Sequence, residues 1–279
     1  MKITLAKSAG FCFGVKRALD IAFKTAKSES KVFMLGDIVH NEDVMKKITD
    51  AGIKKISRLK DGKGKTLLIR AHGTCLSTLK KAKISGYRIV DATCPMVKHI
   101  HRLTQNMEQK GYKIIIVGDL RHDEVQGIIG QLKNKALVID ASKKIPLRKI
   151  RGIKTAAVLS QSTQNLEKVL AIVNKLKQHI KEIKFFNTIC RPTRIKQEEI
   201  KTLPLKNDVM IIIGSKTSAN TRRLFEISKA LNKRSYWIRS EEEVKPIWFK
   251  NAKKVGITAG ASTPDWITKK VSGYIKKLG

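Results

Sequence analysis

Three cysteines at a repeated spacing constrain this chain more than anything else in it. Cys12, Cys94 and Cys190 are each followed, 24 residues on, by a glycine that closes a short apolar run. Gly36 follows Val32-Phe33-Met34-Leu35, Gly118 follows Ile114-Ile115-Ile116-Val117, and Gly214 follows Met210-Ile211-Ile212-Ile213. One such coincidence carries little weight; three at one offset mark a triplicated unit. The runs are short, continuous and mostly branched, which fits strands covered on both faces, as in a parallel sheet.

The segments between cysteine and strand read as helices. Val15, Ala18, Leu19 and Ala22 recur at helical spacing in the first, and Val97, Ile100, Leu103 and Met107 in the second. Residues 191–206 predict a poorer helix, interrupted by Pro204. Pro95 and Pro192 lie within two residues of their cysteines, and proline is favoured in a first helical turn. Each cysteine is therefore expected to end a strand or loop and open a helix. A second apolar run recurs later in every unit: Leu67-Leu68-Ile69, Ala156-Ala157-Val158-Leu159 and Val255-Gly256-Ile257. Strands alternating with helices predict an α/β fold with parallel sheets and right-handed connections. The expected architecture is three small α/β units in pseudo-threefold relation, residues 13–94, 95–189, and 190–279 together with 1–12. The N-terminal run, residues 2–6, supplies the last strand of the third unit. Lysine-rich stretches at 61–65 and 143–151 are expected to be surface loops or short connections.

The chain has 279 residues, of which 42% are hydrophobic, enough for packed cores of this kind. Its four cysteines lie far apart, which argues against a disulfide-stapled secreted module. No apolar run reaches the roughly 18 residues of a membrane span, and the N-terminal segment lacks the apolar core of a signal peptide. A cytoplasmic location with no membrane association is expected.

In open α/β sheets ligands bind beyond the carboxyl ends of the strands, so the residues just past each run are the informative ones. Four residues after the repeat glycines stand His40, His122 and Ser218; six after stand Glu42, Glu124 and Asn220. The second runs lead to His72, to Ser162 and Thr163, and to Ser262 and Thr263. If the units face a common axis, these side chains and the three thiols share one central cavity. Three thiolates without a fourth suit a [4Fe–4S] cluster with one open, Lewis-acid iron, since a full Cys₄ set favours electron transfer. Helix N-termini beside the cysteines favour the thiolate form. Spacings of 82 and 96 residues match no zinc ribbon or finger, although a spatially assembled Cys₃His zinc site stays open at this point. Imidazoles, hydroxyls and an amide make the rest of the cavity an anion site able to surround a diphosphate.

The segments Gly10-Phe11-Cys12-Phe13-Gly14-Val15, His40-Asn41, Ala71-His72-Gly73, Asp91-Ala92-Thr93-Cys94-Pro95, His122 with Glu124-Val125, Gly214-Ser215-Lys216 and Thr258-Ala259-Gly260-Ala261-Ser262 resemble the 4-hydroxy-3-methylbut-2-enyl diphosphate reductase family. The resemblance runs in order along the whole chain. It implies an iron–sulfur reductase ending the methylerythritol phosphate route to isoprenoids. Such an enzyme removes an allylic hydroxyl by two-electron reduction and yields isopentenyl and dimethylallyl diphosphate. It implies one [4Fe–4S] cluster per chain on Cys12, Cys94 and Cys190, with one open iron. It implies diphosphate binding by His40, His72, His122, Ser218, Asn220 and Ser262, with Ala219 in the same loop. Glu124 is implied as proton donor, and Ser162 as standing in for a family threonine near the substrate hydroxyl. A ferredoxin or flavodoxin is the implied electron donor.

The chain departs from the family at Ala219, where a second serine is usual, and in Thr193-Arg194-Ile195-Lys196-Gln197, where the family tends to read Thr-Thr-Asn-Arg-Gln. These departures are the only hints of a member that keeps the fold and has lost activity. Cys75 lies outside the repeat and reads as structural; His99, His101 and His179 carry no repeat signal, and Ser262 and Thr263 could simply cap a helix before Pro264. The formal net charge of +35 raises a second class of function, a basic nucleic-acid-binding protein with a structural metal site. Against it, the chain has only three Trp, four Tyr and eight Phe for stacking, and its lysines are scattered. No specific nucleic-acid partner is expected; an acidic electron carrier would be attracted by the same charge.

Overall fold

A computed structural model describes residues 1–278 of the chain. One strand, β1 (Lys2–Leu5), precedes three passes of the same element order. The first pass is α1 (Phe13–Ser28), β2 (Val32–Leu35), α2 (Glu42–Asp50), β3 (Lys54–Ile56), β4 (Thr66–Ile69), α3 (Leu76–Ile84) and β5 (Arg88–Asp91). The second is α4 (Pro95–Gln109), β6 (Lys113–Val117), α5 (Asp123–Ile129), β7 (Leu137–Ile139), β8 (Thr155–Ser160), α6 (Leu166–Lys177) and β9 (Glu182–Phe185). The third is α7 (Arg191–Thr202), β10 (Val209–Ile213), α8 (Ala219–Leu231), β11 (Ser235–Ile238), β12 (Lys254–Ala259) and α9 (Asp265–Lys276).

Among the described residues the strands form three four-stranded parallel sheets, ordered β3-β2-β4-β5, β7-β6-β8-β9 and β11-β10-β12-β1. In each, the first strand of the pass lies between the second and third, and the fourth flanks the third. The third pass has no fourth strand of its own, and β1 takes that place, pairing Lys2 with Lys254 through Leu5 with Ile257. The repeat expected from the cysteines is thus a repeat of fold, and residues 2–6 close the last sheet as expected.

The central strands show why their sequences are apolar throughout. In β6, Ile115 and Val117 face a core built with Val169, Val173 and Leu176 of α6. Ile114 and Ile116 face the opposite core, with Ile100 and Met107 of α4 and Val125 and Ile128 of α5. The strand period of two is present, but both faces are covered. β10 repeats the arrangement: Val209, Ile211 and Ile213 pack toward α9, and Met210 and Ile212 toward Leu224 of α8 and Ile200 of α7. Complete burial of each such side chain contributes about 1.5–3 kcal/mol. The flanking strands are short and charged, with Lys54 and Lys55 in β3, Arg88 in β5, and Glu182 and Lys184 in β9, a composition that discourages edge pairing.

By its contacts the chain divides into two compact units, one of Met1–Lys16, Val39–Lys46 and the residues from Arg191 on, the other of Arg17–Ile38 and Lys47–Cys190. No helix among the described residues is long and apolar enough to cross a membrane.

Candidate functional site

Each repeat cysteine stands where a helix begins. Cys12 immediately precedes α1, Cys94 is the N-cap of α4, and Cys190 immediately precedes α7. All three are of intermediate exposure, and none is in a disulfide among the described residues. Their backbones are fixed by one repeated bond. The N–H of Cys12 donates to Ala261 O, that of Cys94 to Ala71 O, and that of Cys190 to Ser162 O, each at 3.0 Å. The accepting residues all lie in the loop after the third strand of a pass, beyond β12, β4 and β8. Thiol sulfur is the donor that iron–sulfur clusters take, and none of the three cysteines is spent in a disulfide among the described residues.

In the unit that runs through Lys47–Cys190, Glu124 is bonded to two other predicted site residues, His122 and Ser162. It lies in the first turn of α5 and is only 2% exposed. The capping residue is His122, whose Nδ1 accepts the Glu124 N–H at 3.1 Å. The carboxylate takes two bonds from one residue: Ser162 N–H to Oε1 at 2.6 Å and Ser162 Oγ to Oε2 at 2.7 Å. Burial pushes the Glu124 carboxyl above the ordinary glutamate range, and the two Ser162 bonds offset only part of that rise. A carboxyl so placed holds a proton more readily than an exposed one. His122 and His72 meet edge to face, ring centroids 5.5 Å apart. The loop carrying His72 is tied to the turn carrying Glu124 by an ion pair, Arg70 Nη1 to Asp123 Oδ2 at 2.6 Å. Behind this loop sits His101, against Gly73 and Gly127. Burial drives its imidazole down to about 4, against the opposing pull of Asp91. His101 is on helix α4, as expected, and neutral.

In the other unit, the predicted anion groups occupy three loops. Ser218 is the N-cap of α8 and accepts the Thr221 N–H at 3.3 Å. Ala219 and Asn220 form the first turn of that helix. The Asn220 amide is buried, and among the described residues neither its nitrogen nor its oxygen has a hydrogen-bond partner. A buried amide left in this state is costly unless a ligand satisfies it. Ser262 Oγ donates to the His40 carbonyl at 3.0 Å and so joins two predicted site residues. Ser262 and Thr263 do not cap α9: Pro264 is its N-cap, and Thr263 Oγ1 donates instead to Ile213 O at 3.0 Å. The capping reading fails because proline ends the loop and both hydroxyls have partners elsewhere. Gly260 is required by close approach, since a Cβ there would overlap Thr221 Oγ1. Glu42, the repeat equivalent of Glu124, is an acceptor for Ser215 Oγ at 2.8 Å.

One residue of this unit escaped the sequence reading. Lys196, within the stretch least like the family, is 2% exposed. Its ammonium donates to the carbonyls of Ser8, Gly10 and Ala259. Nothing local marks it, because its acceptors are remote in sequence.

The LytB protein family matches residues 3–276. A curated relative from Pelobacter propionicus, named 4-hydroxy-3-methylbut-2-enyl diphosphate reductase, is 39% identical over 278 residues, covering 100% of this chain and 99% of its own. One of the same name from Aquifex aeolicus is 40% identical over 282 residues, covering 99% and 96%. A solved structure described as (E)-4-hydroxy-3-methyl-but-2-enyl diphosphate reductase, the terminal enzyme of the non-mevalonate pathway, is 40% identical, with TM-score 0.71 and 99% of each chain covered. A solved Plasmodium falciparum structure, described as E-1-hydroxy-2-methyl-but-2-enyl-4-diphosphate reductase, is 28% identical with TM-score 0.87, covering 98% of this chain and 87% of that one.

Proposed function

The chain belongs to the LytB family of 4-hydroxy-3-methylbut-2-enyl diphosphate reductases, and on that premise we propose that it reduces this allylic diphosphate to isopentenyl and dimethylallyl diphosphate as the last step of the methylerythritol phosphate route. The relatives lend no support to the alternative of a nucleic-acid-binding protein with a structural metal, since their names are those of the reductase over the full length of the chain.

The observation that carries the reading is the same backbone bond made three times, 3.0 Å from each repeat cysteine to the loop after a third strand. It supports Cys12, Cys94 and Cys190 as the ligands of one [4Fe–4S] cluster, each cysteine standing where one of the repeats 13–94, 95–189 and 190–279 with 1–12 gives way to the next. Such a cluster, when bound, supplies electrons and one open Lewis-acid iron.

The chain's own residues do the rest. His40, His72, His122, Ser218, Asn220 and Ser262 bind the diphosphate, and the open amide of Asn220 supports that role. Ala219 contributes no hydroxyl, so at that position only backbone can bind. Glu124, protonated, gives its proton to the departing hydroxyl oxygen, and Ser162 holds the carboxyl in place while it does so. The allylic C–O bond breaks, two electrons and two protons enter, and water leaves. The second proton reaches either of two carbons, which accounts for two products. The electrons come from a ferredoxin or flavodoxin, in the cytoplasm, and the chain's +35 charge favours an acidic carrier.

Protein purified without air should be brown, hold about four irons per chain, and turn over the allylic diphosphate with a chemical reductant. Colourless protein that binds no iron after anaerobic reconstitution, and has no turnover, overturns the reading.

A further inference from the structure

Helix α7 buries a positive charge. Lys196 has three N–H donors and three carbonyl acceptors around it: Ser8 O, Gly10 O at 3.0 Å and Ala259 O at 3.1 Å. An enclosed ammonium persists only where its donors are satisfied in this way. One turn on, Glu199 faces the same segment with the opposite chemistry. Its Oε1 accepts the Lys7 N–H at 2.5 Å, and its Oε2 accepts the Ser8 N–H at 3.0 Å and the Ser8 hydroxyl at 2.5 Å. Lysine takes the carbonyls of residues 8 and 10 while glutamate takes the N–H groups of residues 7 and 8. A neutral amide side chain at either position would offer too few donors or acceptors.

The two segments that Lys196 grips are the two that hold Cys12. Gly10 lies two residues before it, at φ +99°, a left-handed conformation in which a Cβ would also strike Asp265. Ala259 ends β12 two residues before Ala261, whose carbonyl receives the Cys12 N–H at 3.0 Å. Lys196 thus pins the chain on the approach to Cys12 and the strand end that the cysteine leans on.

We propose that Lys196, supported by Glu199, is a positioning residue for the iron–sulfur centre: it presets the Cys12 sulfur and supplies a fixed positive charge that stabilises the anionic cluster. The proposal rests on the cluster reading above.

The test compares full-length wild type, Lys196→Met, Lys196→Arg and Glu199→Gln, each reconstituted with iron and sulfide without air. Four readouts are taken: circular dichroism and melting of the iron-free protein, iron content, the rate of iron release to a chelator, and the cluster's midpoint potential. Lys196→Met should fold, release iron about 10-fold or more faster than wild type, and show a lower potential. Lys196→Arg, which keeps the charge, should restore the potential. Glu199→Gln should release iron faster than wild type by a smaller factor. Wild-type release and potential in Lys196→Met overturn the proposal while leaving the cluster reading intact. Wild type that takes up no iron overturns both. Should Lys196→Met fail to fold, Glu199→Gln decides, and unchanged iron release in a folded Glu199→Gln protein overturns the proposal.

Discussion

Ser162 gives Glu124 both of its donors, the backbone N–H at 2.6 Å and the hydroxyl at 2.7 Å. The pair joins the loop after β8 to the first turn of α5, so the acid is held at both oxygens by one residue. Burial raises its proton affinity, and the two bonds fix where the proton can point.

Replacement separates these two effects. Glu124→Gln keeps an acceptor for the Ser162 N–H but has no acidic proton, and turnover should fall by about 100-fold or more with iron content unchanged. Ser162→Ala removes one of the two bonds that orient the carboxyl and should cost about 10-fold, equivalent to about 1.4 kcal/mol. Anaerobic steady-state assays check both. Near-wild-type turnover in Glu124→Gln removes the residue from the mechanism.

Glu124 also leaves a mark on stability. Its carboxyl is raised in the folded protein, so the unfolded chain releases that proton at lower pH than the folded one. Stability is therefore lost as pH rises from the ordinary glutamate value of 4.5 through the folded value. Iron-free Glu124→Gln should melt above iron-free wild type at neutral pH, and the gap should close near pH 4. A constant gap across that range contradicts the assignment.

His101 works in the opposite sense. Its imidazole falls from 6.5 to about 4 on burial, so its contribution is complete above 6.5 and is lost as pH drops toward 4. At 1.36 kcal/mol per pH unit the loss totals about 3 kcal/mol. Urea unfolding of iron-free wild type and His101→Gln at pH 7 and pH 4.5 should show wild type losing about 2–3 kcal/mol more than the variant. Equal losses would show that the imidazole is not held neutral.

The fourth cysteine provides a control for the other three. Burial pushes the Cys75 thiol up, but hydrogen bonds from Ser77 and Thr78 outweigh it and bring the thiol below its ordinary value. In iron-loaded protein Cys75 should be the thiol most readily alkylated, as mapped by peptide mass spectrometry. Cys75→Ser should keep its iron, whereas Cys12→Ser, Cys94→Ser and Cys190→Ser should each lose most of it. Full iron content in any one of those three removes that cysteine from the ligand set.

The parts of this fold that can be read from sequence are those whose burial writes a local pattern. β6 and β10 are covered on both faces, so they appear as unbroken apolar runs, and the helix that opens at each cysteine shows its own periodicity. α7 ends at Thr202, and the turn containing Pro204 follows, as its composition foretells. β3, β5, β7, β9 and β11 leave no comparable trace. They are three or four residues long and partly exposed, and charged side chains among them resemble those of loops. Glu124 gains its surroundings from Ser162, 38 residues away. Lys196 is the extreme case: it is one cation among 58 lysines and arginines, and its bond to Ser8 spans 188 positions. Nothing in its neighbours distinguishes a lysine that will be enclosed from one that will be solvated.

The placement of β1 has a consequence for synthesis. β1 pairs with β12, joining Lys2 to Lys254, and so is made long before the strand it pairs with. At about 5–20 residues per second the nascent β1 waits for many seconds, with Cys12 unanchored, because Ala261 is translated later still. The third sheet thus closes only after β12 has emerged, and the Cys12 anchor is set later than those of Cys94 and Cys190.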